Sequence, residues 1–267
     1  MNTILVREQS DRYRLAPTDP RARHLKRVLR VSSGDTVRIA VLGGPLGEAT
    51  VIENGAGGFD LTPVWRETPL PSLPITVLVG HPRPPVLRRL WRDLAAMRVA
   101  RVEVFAAELS ERSYLTSSVW EHVDDAIADG LSQGGHSTPP TVTSRRSLRD
   151  ALVSIRATDP DGPDTAGPDT AGARRFFGSL AAADTPGLLT LPEALSSIAA
   201  RSAAVTESGV VVAVGPERGF TAAEEASLVA AGFCGVRLGR SILRTETATI
   251  LLAGAACAAV ATGGHSA

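Results

Sequence analysis

The chain has 267 residues, 43% of them hydrophobic and 21% charged, with Lys+Arg 28 balanced by Asp+Glu 28. That length supports two modest domains or one large one with a buried core, and a formal net charge of zero excludes a strong global field drawing in a polyanion. The longest apolar run, residues 248–262, falls short of the roughly 20 residues a membrane span needs. No basic, apolar and small-residue leader opens the chain, so a cytoplasmic protein is expected.

The first part alternates short β-type runs with turns: "TILV", "RYRLA", "DTVRIAVL", "GEATVIE" and "GFDLTPVW", separated by "SSGD", "GGPLG" and "NGAGG". Close spacing of this kind predicts a small barrel or compact β domain over residues 1–68. Inside it, "DPRARHLKRVLR" (19–30) places Leu25, Val28 and Leu29 at helical spacing, with Arg21, Arg23, Lys26, Arg27 and Arg30 on the other faces. This helix reads equally as an RNA-contacting surface and as a solvated charged face. The proline-rich "RETPLPSLP" (66–74) makes a linker.

From residue 74 to 267 strands and helices alternate: "ITVLVG", a helix across 85–98, "RVEVFA", a helix across 117–132, "RRFFGSL", "GVVVAVG", a helix across 221–231, "GVRLG" and an Ala-rich final helix. Such alternation predicts a mostly parallel sheet covered by helices. The stretch 159–173, with its tandem "GPDTA", reads as a flexible insertion. The segment 83–101 sets Arg83, Arg88, Arg89, Arg92, Arg98 and Arg101 against Asp93 alone. Cys234 and Cys257 lack any metal or redox spacing and read as reduced thiols. No His/Cys/Asp cluster with ligand spacing is present, so no metal is expected.

Chemistry is concentrated in two late glycine-bearing turns, "VGPERGF" (214–220) and "LGRSILRTETA" (238–248). In wound α/β sheets such turns follow strand ends, where ligands collect. Neither is a phosphate loop or a dinucleotide turn, because the Lys-Ser/Thr pair and the Gly-x-Gly-x-x-Gly spacing are both missing.

The pair resembles the signature of the RsmE family of SPOUT methyltransferases, Gly-Pro-Glu-Gly-Gly followed by Leu-Gly-x-x-Ile/Val-Leu-Arg-Thr-Glu-Thr-Ala, and "HLKRVLRVSSGD" (24–35) looks like that family's N-terminal motif. The resemblance implies an α/β protein with an N-terminal PUA-like small β-barrel that binds RNA and a C-terminal SPOUT α/β domain with a deep trefoil knot. It implies S-adenosylmethionine as methyl donor, N3 of a uridine in 16S rRNA of the small ribosomal subunit as acceptor, and a homodimer. By resemblance the donor pocket comprises Ser179 and Leu180, then Gly215, Pro216, Glu217 and Gly219, then Leu238, Gly239, Ser241, Ile242, Leu243 and Thr245. Such a donor is held by backbone groups in a tight, mostly apolar pocket. Thr245 and Glu246 suit the start of the last helix, where capping alone is an alternative role.

Arg244 is the candidate for stabilising a developing uridinate. Glu217 is a candidate for removing the N3 proton, or a structural group bonding backbone N–H of its own loop. His24, Arg27 and Arg30 are the candidate RNA contacts. Departures from the family pattern are Arg218 in place of glycine, His136 in place of arginine, and an altered 84–102 helix region. Were Arg218 at positive φ, it would cost ~1–2 kcal/mol. These changes leave open a divergent enzyme with another RNA or a small molecule as acceptor, or a silent RNA-binding protein.

Overall fold

The structure, a computed structural model, describes residues 3–158, 175–180, 187–199 and 209–263. The expected insertion at 159–173 lies outside them.

A five-stranded sheet of order β1-β3-β4-β5-β2 forms from β1 (Ile4–Val6), β2 (Tyr13–Leu15), β3 (Thr36–Val41), β4 (Leu46–Glu53) and β5 (Phe59–Glu67). All pairs are antiparallel except β1 with β3. Alternate residues point to one side, so Val37, Ile39 and Val41 of β3 meet Ala49 and Val51 of β4 and Phe59 and Leu61 of β5 in one core.

Helix α1 (Pro20–His24) starts with Pro20 in its first turn, and the Asp19 carboxylate accepts the Arg21 N–H. It then widens into a π turn, Leu25–Leu29, closed by the Arg30 N–H on the Leu25 carbonyl. That widening corrects one sequence expectation: Leu25 is fully buried, but Val28 is swung out and 64% exposed. Arg30 ends the turn in the left-handed region at φ 53.

The second sheet has seven strands, all parallel, in the order β10-β12-β9-β11-β6-β7-β8. These are β6 (Leu73–Gly80), β7 (Val99–Phe105), β8 (Thr141–Arg145), β9 (Arg175–Gly178), β10 (Leu189–Thr190), β11 (Val210–Val214) and β12 (Cys234–Arg237). Covering both faces makes the central strands continuously apolar; all five residues of β11 are buried. One face packs on α2 (Pro84–Ala96), α6 (Leu191–Ala199) and α8 (Thr245–Gly263), the other on α5 (Leu148–Thr158) and α7 (Ala222–Ala230). Helix α2 turns Val86, Leu87, Leu90, Trp91 and Leu94 inward and Arg88, Arg89 and Arg92 outward. Trp91 sits 4.9 Å from Trp120, which lies in the 3₁₀ turn Ser118–His122 before α4 (Val123–Gly134). A short helix α3 (Arg112–Leu115) precedes that turn. Small residues let α8 approach its neighbours closely, with Ala253, Ala256 and Ala259 all buried.

The two sheets are joined at α4. Thr3 donates its N–H to the Ser132 carbonyl at 3.0 Å, and Gly43 donates to the Ser137 carbonyl at 2.8 Å. His136 lies buried in this junction, its Nε2 3.4 Å from the Ala96 carbonyl.

Burial holds His136 and His81 below the usual imidazole range, so folding favours the neutral form of both. The unfolded chain then binds more protons near pH 6.5, and stability falls as pH drops below about that value. Urea midpoints are expected to decrease from pH 7.5 to 5.5, and His136→Gln to flatten part of the decrease. An unaltered pH profile in that variant would assign the loss to other groups.

Candidate functional site

Because the seven strands run parallel, their carboxyl ends share one edge, and the turns after the adjacent strands β12, β9 and β11 converge there. They enclose a cavity of about 260 Å³. Ser179 and Leu180 reach it from β9, Gly215, Pro216, Glu217 and Gly219 from β11, and Leu238, Gly239, Ser241, Ile242 and Leu243 from β12. Thr245 at the start of α8 completes the set expected from the sequence. Gly178, Val214, Arg237, Arg240 and Ala248 also line it and were not anticipated. All five sit within three residues of an anticipated one, so proximity to the motifs was the available signal.

The first loop is held by backbone proximity. A Cβ on Gly215 would lie 2.7 Å from the Gly219 carbonyl carbon and 2.9 Å from the Phe220 nitrogen. Gly219 has φ +76, a left-handed conformation suited to glycine. Arg218 is not at positive φ, so the strain that its replacement of glycine threatened is absent. Behind the loop, Thr221 and Glu224 form a capping box on α7, and Glu224 also accepts the Glu108 N–H at 3.0 Å. Ser179 Oγ reaches Glu225 at 3.2 Å, bracing the β9 turn against α7.

Glu217 accepts the backbone N–H of Arg83 at 2.8 Å, with the Arg83 guanidinium 3.6 Å away. The carboxylate therefore ties the cavity loop to the start of α2, a different partner from the N–H groups of its own loop. Nearby, Glu246 pairs with Arg89 of α2 at 3.4 Å. Arg83 and Arg89 thus tie the β11 loop and the first turn of α8 to one helix, a pairing across distant segments that spacing alone does not reveal. Thr245 is buried, and its carbonyl accepts the Thr249 hydroxyl at 2.7 Å.

Arg244 stands immediately before α8, exposed and outside the cavity lining. Arg27 and Arg30 are exposed on the N-terminal helix. His24 instead turns toward the second sheet's helices, lining a groove with Arg92 and Gln133, and its Nε2 is buried without a hydrogen-bond partner. The RNA candidates are thus distant in sequence from the cavity set, and none of them lines it.

Burial raises the Cys234 thiol above the usual range and pushes Cys257 up to about 11, as expected of inert thiols. Among the described residues no group of His, Cys, Asp and Glu is placed to hold a metal ion, and no helix is long and apolar enough to cross a membrane.

The cavity suits a small molecule of mixed polarity. Leu180, Val214, Pro216, Leu238 and Leu243 provide apolar walls, and the glycines bring main-chain donors and acceptors to the surface. A Cβ on Gly239 would meet nothing within 4 Å, leaving room beside that backbone.

Residues 68–257 match the family model described as RNA methyltransferase domain. Over 253 residues the chain is 31% identical to "Ribosomal RNA small subunit methyltransferase E" of Treponema pallidum, covering 93% of this chain and 85% of the relative. It is 24% identical to "Ribosomal RNA small subunit methyltransferase E 1" of Borreliella burgdorferi, covering 94% of each. Among solved structures, the Neisseria gonorrhoeae ribosomal RNA small subunit methyltransferase E bound to S-adenosyl methionine aligns with TM-score 0.64 at 21% identity, over 96% of this chain and 95% of that one. A Legionella pneumophila protein in complex with SAM aligns with TM-score 0.66 at 17% identity, over 96% and 97%.

Proposed function

The chain belongs to the RNA methyltransferase family, within its small-subunit methyltransferase E group, and from that premise we propose that it methylates N3 of a uridine in 16S rRNA. It is an S-adenosylmethionine-dependent small-subunit rRNA methyltransferase. The observation that carries the proposal is the gathering of both motif loops and the Ser179–Leu180 segment around one cavity.

In this reading Ser179, Leu180, Gly215, Pro216, Glu217, Gly219, Leu238, Gly239, Ser241, Ile242, Leu243 and Thr245 hold the donor. Bound there, S-adenosylmethionine supplies an electrophilic methyl group on sulfonium sulfur. Uridine N3 loses its proton and takes the methyl carbon while the carbon–sulfur bond breaks, so the protein's work is alignment and exclusion of water. To Arg244, exposed immediately before α8, we assign stabilisation of the uridinate charge. Glu217 acts first as a strap, since one carboxylate oxygen already serves the Arg83 N–H. A role in proton removal falls to its other oxygen.

We divide the chain into an RNA-binding PUA-like domain, 1–68, and a SPOUT domain, 74–267. Support for a trefoil knot comes from the strand order: β11 enters between β6 and β9, and β12 between β9 and β10. Arg27 and Arg30, with His24 bracing their helix, approach RNA phosphates. A cytoplasmic homodimer, which the family resemblance implies, completes the reading; the buried small residues of α8 are taken up by packing within the chain. Light scattering at micromolar concentration is expected to give twice the monomer mass; a monomer alone would remove the dimer.

The decisive experiment transfers methyl from labelled S-adenosylmethionine to small subunits lacking the modification and maps the product base. Label at another RNA position or on a small molecule would favour a divergent acceptor, a reading sustained by Arg218 and His136. No transfer by a donor-binding chain would point to a silent RNA-binding protein. Donor binding is expected to persist in a chelator, measured by calorimetry; loss of the binding heat would overturn the metal-free reading.

A further inference from the structure

We propose that Arg218 and Arg240 seat phosphates of the acceptor RNA at the mouth of the donor cavity, with Arg218 a contact this chain has where the family pattern has glycine. The inference rests on the RNA-methylating reading above and adds to it where the substrate backbone lies.

Arg218 falls between Glu217 and Gly219, both of which line the cavity, and its own side chain is exposed. Arg240 lines the cavity from the second loop and is likewise exposed. The carboxylates around this mouth are already engaged. Glu217 serves Arg83, Glu246 serves Arg89, Glu225 accepts the Ser179 hydroxyl, and Glu224 closes the α7 capping box. Among the described residues neither Arg218 nor Arg240 enters an ion pair, nor does neighbouring Arg244. Glu224 and Glu225 keep their charge, being bonded to neutral groups, but neither lines the cavity; the unpaired Arg218, Arg240 and Arg244 leave the mouth locally cationic on a chain whose net charge is zero.

Charge decides which ligand this surplus suits. S-adenosylmethionine carries a sulfonium, an ammonium and a carboxylate at neutral pH and is itself a net cation, so exposed arginines at the entrance do not attract it. A polyanion gains from them, and a guanidinium binds phosphate through paired N–H donors. Ile242, 84% exposed, stands between Arg240 and Arg244 in sequence, and Leu180 on the facing turn is 62% exposed. Exposed apolar side chains interleaved with arginines match a nucleic acid, which offers phosphates and base faces together. Since Arg218 is free of left-handed strain, glycine at that position would remove the cation without being needed by the backbone.

The test measures binding of the full chain to protein-free small-subunit rRNA as a function of salt, alongside donor calorimetry and methyl transfer to small subunits. Arg218→Gly, which restores the family residue, is expected to reduce the magnitude of the log Kobs against log salt slope by about 0.7–0.9, the value for one phosphate contact. Donor affinity should stay at the wild-type level, and Arg218→Lys should recover the slope. Arg218→Gly together with Arg240→Lys should show no additional slope change, because the second charge is kept, while Arg218→Gly with Arg240→Gln should lose about twice as much as Arg218→Gly alone. An unchanged slope in Arg218→Gly, with wild-type binding and methyl transfer intact, overturns the proposal and leaves the RNA reading standing. An unchanged slope with an altered oligomeric state also overturns it, assigning the rim to a second copy of the chain. A wild-type chain without salt-dependent RNA binding or methyl transfer overturns both.

Discussion

Gly215→Val is expected to abolish measurable donor binding while the N-terminal sheet stays folded. The added Cβ alone would lie 2.7 Å from the Gly219 carbonyl carbon and 2.9 Å from the Phe220 nitrogen, both backbone atoms that no rotamer change can move aside. Relief requires the β11 loop to open, which displaces Pro216 and Glu217 from the cavity and breaks the Glu217 bond to the Arg83 N–H. Misplacing a preorganised loop by about 1 Å is enough to cost roughly a hundredfold in function. Gly239→Ala is the control, because its Cβ meets nothing within 4 Å inside the chain. It should fold with wild-type thermal stability and lower donor affinity only to the extent that a bound ligand fills that space. Calorimetry of both variants, with circular dichroism to verify folding, makes the comparison. Wild-type donor affinity in Gly215→Val would show that the loop is not part of the site.

What made this site legible was the coincidence of strand grammar and glycine placement. Strands β1 to β5 followed from short β-type runs, the later ones separated by glycine turns, α2 and α7 from the alternation of strands with helices, and α8 from its Ala-rich apolar run. The cavity residues followed from resemblance to a motif, and the parallel sheet explains why segments as separate as Ser179 and Leu243 meet: both follow strands that end at one edge.

Other features depended on tertiary contacts that no local pattern encodes. The π turn at Leu25–Leu29 moves Val28 from the apolar stripe to solvent, although its spacing suits an α-helix. Strand β8 alternates Thr, Val, Thr, Ser and Arg and carries little apolar signal, because it is an edge strand. The helix α5 that follows does carry an apolar stripe, Leu148, Ala151, Leu152 and Ile155, at helical spacing. Glu103 on β7 is fully buried between Arg101 and Arg145, an ion-pair arrangement whose partners are 42 residues apart in one case. The pairing of Glu217 with Arg83, 134 residues away, is of the same kind. His24, a candidate RNA contact from its motif, lines a groove with Arg92 and Gln133, partners that its place on a basic helix does not reveal.

Arg244→Ala should separate chemistry from positioning when set beside Arg27→Ala. Arg27 is exposed on the N-terminal helix, remote in sequence from the cavity and absent from its lining. If it contacts phosphate, Arg27→Ala weakens RNA binding and reduces the salt slope by about one counterion-equivalent, with donor affinity unchanged. Arg244 stands immediately before Thr245, which lines the cavity, and no carboxylate among the described residues pairs with it. On the proposed reading, its guanidinium would meet the negative charge that develops on the uracil ring as N3 loses its proton. Removing such a donor costs about a hundredfold or more in the chemical step, on the scale of an oxyanion-hole donor. Single-turnover rates at saturating RNA and donor isolate that step, because binding defects no longer contribute. Arg244→Lys, which keeps the charge but loses the planar fork, should recover part of the rate. Wild-type turnover by Arg244→Ala under saturation would end the catalytic assignment and leave the residue as a brace at the start of α8.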